Sequence, residues 1–202
     1  MNAISPLDTI KAHDAFSHSL GFFCSRWAAL EVQLFIVVSH YAGVTQPIGR
    51  AIFAGMRARD LMSALDRIAV NTQMEESRHE HLKYIAAQIA TLNTMRDRLV
   101  HNSNLGVVSS GTEGWQVTNA FKSQLPSAVY SHFITFKDID LMRKDCERAT
   151  GLLLQHSLGI PSPFKAPVEE DPALATWLYK SPQPESTQGK SKKAGQKRSA
   201  RQ

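Results

Sequence analysis

The chain has 202 residues, 43% of them hydrophobic and 20% charged, with a formal net charge of +5. That length and balance suit one soluble globular domain with a sizeable core. The charge is unevenly placed. Lys190, Lys192, Lys193, Lys197, Arg198 and Arg201 stand in the acid-free run 186–202, and without these six the other 17 basic residues face 18 acidic ones. A dedicated nucleic-acid domain carries its basic excess on the fold itself, and this near-neutral body does not. The tail, rich in Ser, Gly, Gln and Lys, is expected to be flexible, either as a tether for RNA or an acidic protein partner or as a solvated run that only aids solubility.

The opening Met1–Pro6 lacks a basic region followed by an apolar run, so no secretory signal is expected. Phe16, Leu20, Phe23, Trp27, Leu30, Leu34, Val37 and Tyr41 alternate steps of four and three, a heptad seam that predicts a long first helix. Asp8 or Asp14 suits its start and Gly43 its end. Arg26, Glu31 and His40 interrupt the apolar stretch 20–44, which argues against a membrane span and for a cytoplasmic protein. Cys24 and Cys146 lie in predicted helices without a Cys-x-x-Cys partner and read as buried small hydrophobes.

Pro47 sits well at the start of a second helix running to about Val70, with Ala54, Ala58, Leu61, Leu65 and Ile68 on its inner stripe. Thr72 and Glu75 have capping-box spacing for a third helix that runs to about His101 and stops at Asn102-Ser103-Asn104. Leu105–Val108 and Trp115–Thr118, joined by a Gly-rich turn, predict a hairpin, and Tyr130–Phe136 a third strand. Asp138 suits the cap of a last helix carrying Ile139, Met142, Cys146, Ala149 and Leu153. Prolines 161, 163, 167 and 172 end the domain. The aromatic patch around Trp177 and Tyr179, read as one or two helical turns, is expected to fold back onto the body. The fold class is thus mainly α: an antiparallel four- to five-helix bundle over 1–160. A small β-hairpin or three-stranded sheet is inserted at about 104–136, and a Pro-rich, then basic, tail follows over 161–202.

The third helix carries the chemistry. Leu82, Ile85, Ile89 and Leu92 form its apolar stripe, and the next two places are Arg96 and Leu99. Arg96 breaks the pattern where Leu or Met is wanted, and its permanent charge must be paired or solvated. Arginines at the edge of such a stripe also cover apolar surface with their stems while the head reaches water. His101 stands where the helix should stop. Arginine supplies fixed charge for a phosphate and imidazole moves protons near neutrality, which together are parts for cutting RNA without a metal. Glu76-x-x-His79 has the spacing of half a di-iron site, but no second copy exists, and no metal or cofactor is expected.

The run Arg96-Asp97-Arg98-Leu99-Val100-His101-Asn102 resembles the signature of the HEPN superfamily: an arginine, a polar residue after it, and a histidine four to six residues on. Arg96, Asp97 and His101 match those places. The resemblance implies a helical bundle that pairs as a homodimer, with two motifs meeting across a two-fold axis. It further implies a metal-independent endoribonuclease of the toxin or phage-defence kind, and some members only bind.

Geometry adds a constraint. Arg96 and His101 lie roughly 140° apart around a straight helix, while Asp97 and His101 share a face. Asp97 is therefore expected to accept a hydrogen bond from the imidazole, and Arg96 to reach the same site only through fraying at His101 or through a second protomer. The reading is cleavage of single-stranded RNA by 2′-hydroxyl attack with Arg96, Asp97 and His101 as catalytic residues. Arg98, Asn102, Lys192, Lys193, Lys197 and Arg198 are candidate RNA contacts. The rival is a non-catalytic binding or dimerisation module, an adaptor or antitoxin-type partner, in which Arg96 makes a structural ion pair with Glu31.

Overall fold

A computed structural model describes residues 6–109, 112–119, 129, 131–158 and 176–181. Among these, five helices and three strands follow in the order α1 (Pro6–Tyr41), α2 (Gln46–Phe53), α3 (Ala58–Asn71), α4 (Glu76–His101), β1 (Ser103–Ser109), β2 (Thr112–Thr118), β3 (Ser131–Thr135) and α5 (Phe136–Leu158). The molecule is a mainly α bundle with a small antiparallel sheet. The Pro-rich stretch 161–172 and the basic tail, with Lys192, Lys193, Lys197 and Arg198, lie outside the described residues.

The heptad seam of α1 is the spine of the core. Phe16, Phe23, Trp27, Leu30, Leu34 and Val37 are all at most 3% exposed, and α1 makes its most extensive pairing with α5. From α5 come Ile139, Met142, Cys146, Ala149 and Leu153; from α4, Leu82, Ile85, Ile89, Leu92, Met95 and Leu99. These i, i+3, i+4 sets are what a bundle buries, and removing that apolar surface from water is the main force holding it. By length and composition alone the segment His13–Tyr41 is apolar enough to cross a membrane. One face of it is the bundle core, while Phe22, Val32 and Ile36 on the other are 50%, 60% and 40% exposed.

Helix α1 begins before Asp8, so Asp8 and Asp14 sit inside it rather than at its cap. Its end is a Schellman motif, in which Gly43 N–H donates to the His40 carbonyl and Val44 N–H to that of Ser39, with Gly43 at φ +65°. The long second helix expected over 47–70 is two helices. Ala54 (φ −62°, ψ 136°) and Gly55 (φ +81°) form a type II turn closed by Met56 N–H on the Phe53 carbonyl. Ala58, Leu61 and Leu65 keep their inward places in α3, while Ala54 is exposed in the turn.

The capping box expected from Thr72 and Glu75 is absent. The Thr72 hydroxyl donates back to the Ile68 carbonyl of α3, and Glu75 is the N-cap of α4 without a side-chain cap bond. A real box opens α5 one turn earlier than Asp138. Asp138 N–H donates to the Thr135 hydroxyl, and the Asp138 carboxylate accepts both the Thr135 N–H (2.9 Å) and its hydroxyl (2.7 Å).

The sheet order is β1-β2-β3, antiparallel throughout, with Ser103 opposite Thr118 and Trp115 opposite Ile134. Alternation turns Trp115, Val117 and Ile134 inward, and Trp115 stacks on Phe16 at 4.3 Å and meets Phe136 edge-on at 5.0 Å. The sheet therefore lies across the end of the bundle where α1 starts and α5 begins.

Residues Thr176–Ser181 fold back as the aromatic patch suggests, but as a non-helical strap. Asp145, fully buried on α5, accepts the N–H groups of Leu178 (3.0 Å) and Tyr179 (2.8 Å) and the Gln88 side-chain amide (2.9 Å). The same amide donates to the Tyr179 carbonyl at 3.1 Å. Trp177 stacks on Tyr84 with Arg148 over its ring, and Tyr179 is 3% exposed.

Candidate functional site

Helix α4 stays helical through His101, and Asn102 is an extended C-cap (φ −109°, ψ 164°) whose N–H donates to the Arg98 carbonyl. Fraying is therefore not how Arg96 and His101 meet. Both line one open cleft of about 510 Å³ along the last two turns of α4, together with Asp97, Asn93, Glu31 of α1, and Arg57, Arg59 and Asp60 at the start of α3. The cleft follows the exposed surface of α4 from Arg96 across Asp97 to His101. An angular separation that rules out a shared narrow face still allows a shared broad groove, because the first turn of α3 stands opposite as the other wall.

The pairing within the cleft differs from the expected one. The Asp97 carboxylate accepts from Arg96 Nη1 at 2.7 Å, not from the imidazole. His101 is exposed and has no side-chain partner among the described residues. No ion pair joins Arg96 to Glu31, although both line the cleft. Arg96 is not sunk in the core either. Its side chain is 32% exposed, and the buried stripe passes instead through Met95, which is 0% exposed. This is the edge-of-stripe placement, with the stem over the core and the head facing open space. Apart from the bond to Asp97, the guanidinium donors have no acceptor among the described residues.

A second mouth of about 370 Å³ continues the cleft past His101 and is lined by Arg57, Arg59, Asn93, Thr94, Asp97, Arg98, His101 and Asn102. Arg98 and Asn102, the two candidate contacts within the motif, lie here. Arg98 Nη1 is 2.9 Å from His132 Nε2 of β3, and burial, then the charge of Arg98, lowers the affinity of His132 for a proton. A neutral His132 accepts that bond, so the sheet holds the Arg98 side chain in place.

Sequence reasoning missed Arg57 and Arg59. They follow the Gly55 turn, inside what reads as one continuous helix, so nothing local marks them as facing α4. His79 Nε2, of the Glu76-x-x-His79 spacing, lies 2.9 Å from Asp66 Oδ1, which joins α4 to α3 at the edge of the bundle. Among the described residues no three His, Cys, Asp or Glu side chains gather as a metal site. Burial and neighbouring acids push the Cys146 thiol up to about 12, so it is inert as a nucleophile.

Comparison with protein-family models, with curated proteins and with solved structures finds no match to this chain.

Proposed function

We propose that the protein is a HEPN-like, metal-independent endoribonuclease acting on single-stranded RNA. The observation that carries this reading is the meeting of Arg96, Asp97 and His101 in one solvent-open cleft of a single chain. In the proposed reaction His101 accepts the proton of a ribose 2′-hydroxyl. The 2′-oxygen bonds to the adjacent phosphorus, the bond from phosphorus to the 5′-oxygen breaks, and a histidine of a second copy protonates that leaving oxygen. Arg96, held in orientation by Asp97, stabilises the charge that develops on the non-bridging oxygens. The products end in a 2′,3′-cyclic phosphate and a 5′-hydroxyl.

A homodimer supplies the second histidine, and the exposed apolar side chains of α1 and α2, Phe22, Val32, Ile36, Ile48 and Ile52, offer surface for self-association. The heptad seam of α1, buried against α5, supports a soluble cytoplasmic bundle. A toxin or defence role fits an RNA-cutting enzyme of this kind.

The test is incubation of purified protein with single-stranded RNA in the presence of EDTA. Wild type is expected to yield cyclic-phosphate ends, and His101→Ala and Arg96→Ala to lose about 10²–10⁴ in rate. Equal background cleavage by all three proteins rejects the reading. The second reading, a non-catalytic module, is favoured by the mixed charge of the inner cleft, where Glu31 and Asp60 stand among the arginines. It predicts that these proteins, although folded, leave RNA intact.

A further inference from the structure

The two mouths of the cleft differ in charge. Glu31 and Asp60 line only the inner one, beside Arg57, Arg59 and Arg96. The outer mouth sets Arg57, Arg59 and Arg98 against a single carboxylate, Asp97, which is already bonded to Arg96. Arg57 and Arg59 are exposed, and neither has an ion-pair or hydrogen-bonded side-chain partner among the described residues. Their placement is fixed by the fold. The Gly55 turn redirects the chain, Arg57 becomes the N-cap of α3 (φ −78°, ψ 160°), and Ala58 between them is buried to 1%. The backbone is thus pinned while both guanidinium groups are left facing α4. Glu31 and Asp60 stand beside them on the inner side without forming an ion pair, so the outer mouth keeps an excess of positive charge that a bound anion offsets.

The geometry points to a second phosphate site. Arg57 and Arg59 hold the backbone phosphate neighbouring the one that Arg96 serves, so the cleft takes a run of single-stranded RNA spanning at least two linkages rather than a single nucleotide. This rests on the ribonuclease reading above and names how its substrate is held. Guanidinium groups suit phosphate because their N–H donors match two of its oxygens. Asn93 at the same mouth brings a neutral hydrogen-bonding group for ribose. Arg96 lines only the inner mouth and Arg98 and Asn102 only the outer one, so a run of phosphates that starts at Arg96 leaves past His101 through the outer mouth.

The experiment measures binding of a short, cleavage-resistant 2′-O-methyl oligoribonucleotide by fluorescence anisotropy through a salt titration. It compares wild type, the Arg57→Ala/Arg59→Ala double variant and the Arg57→Lys/Arg59→Lys double variant. Cleavage of ordinary RNA is followed separately. The alanine pair is expected to weaken binding about tenfold and to flatten the log–log salt slope by about 1.4, the value for two lost phosphate contacts on a single strand. The lysine pair, which keeps the charge, should restore most of the slope. In cleavage, KM should rise while kcat holds, and a dinucleotide with one linkage should not distinguish the variants. Wild-type binding with an unchanged slope in the alanine pair overturns the second phosphate site and leaves the nuclease standing, as does cleavage without measurable binding of the analogue. A wild type that neither binds nor cleaves overturns both.

Discussion

Gln73 turns the chain out of α3 at φ +51°, with its N–H on the Val70 carbonyl and the Met74 N–H on that of Ala69. That is the left-handed position of a Schellman motif, where a Cβ costs roughly 1 kcal/mol. Gln73→Gly should therefore raise stability by several tenths of a kcal/mol, the gain being partly offset by greater freedom of the unfolded chain, and a urea midpoint reads it. The opposite sign is expected at Thr135, whose hydroxyl both accepts from Asp138 N–H and donates to its carboxylate. Thr135→Ala should cost about 1 kcal/mol. Arg96 behaves differently again. Its pair with Asp97 is between half-exposed side chains, 32% and 44% open, and such pairs contribute under about 1 kcal/mol. Arg96→Ala should melt within a few degrees of wild type. A large loss would show that the arginine serves the fold rather than the cleft.

At the scale of elements, the strap Thr176–Ser181 hangs on one side chain. Asp145 is buried completely and satisfies two backbone N–H groups and the Gln88 amide. Asp145→Ala takes the acceptor from the Leu178 and Tyr179 N–H groups and one of two acceptors from the Gln88 amide, and should cost about 3 kcal/mol or more, with release of the strap visible as exposure of Trp177 to a fluorescence quencher. An unchanged quenching rate in that variant would mean that the aromatic contacts with Tyr84 and Arg148 hold the strap alone. The existence of the strap was legible, since an aromatic patch after a Pro-rich stretch asks for cover. Its anchor was not, because Gln88 and Asp145 are 57 residues apart and each looks like a solvated helix residue by itself. The break between α2 and α3 was missed for a related reason. Ala54-Gly55-Met56-Arg57 keeps enough helix-compatible spacing to disguise a turn that only the positive φ of Gly55 reveals.

Across the whole molecule, acid is expected to loosen the end of the bundle where α1 finishes. There His156 of α5 lies 3.0 Å from the Tyr41 hydroxyl of α1 and 3.1 Å from His81 of α4, with Arg78 of α4 acting on the same group. Burial first, then the charges of His81 and Arg78, lower the pKa of His156 from the ordinary 6.5 to about 4, and burial lowers that of His81 as well. Between about pH 6.5 and 4 the unfolded chain binds protons that the folded one refuses, so stability rises with pH in that window and falls as the solution is acidified through it. The expected loss is about 2 kcal/mol after solvent screening, with the decline ending below about pH 4. Denaturation curves through that range check it, and His156→Gln, which keeps a partner for Tyr41 but does not titrate, should flatten them.

The sequence by itself determined the number and order of the main helices apart from one break, the three-stranded insertion, the return of the aromatic patch and the seven-residue run that carries the candidate site. These are set by local periodicity, turn chemistry and residue type, and each is readable within one or two helical turns. Tertiary structure alone decided that Met95 rather than Arg96 fills the core, that Asp97 binds the arginine and not the histidine, and that Arg57 and Arg59 form the opposite wall. Those outcomes depend on which elements face each other across space. No periodicity within a single helix encodes what a helix some forty residues earlier in the chain will set against it.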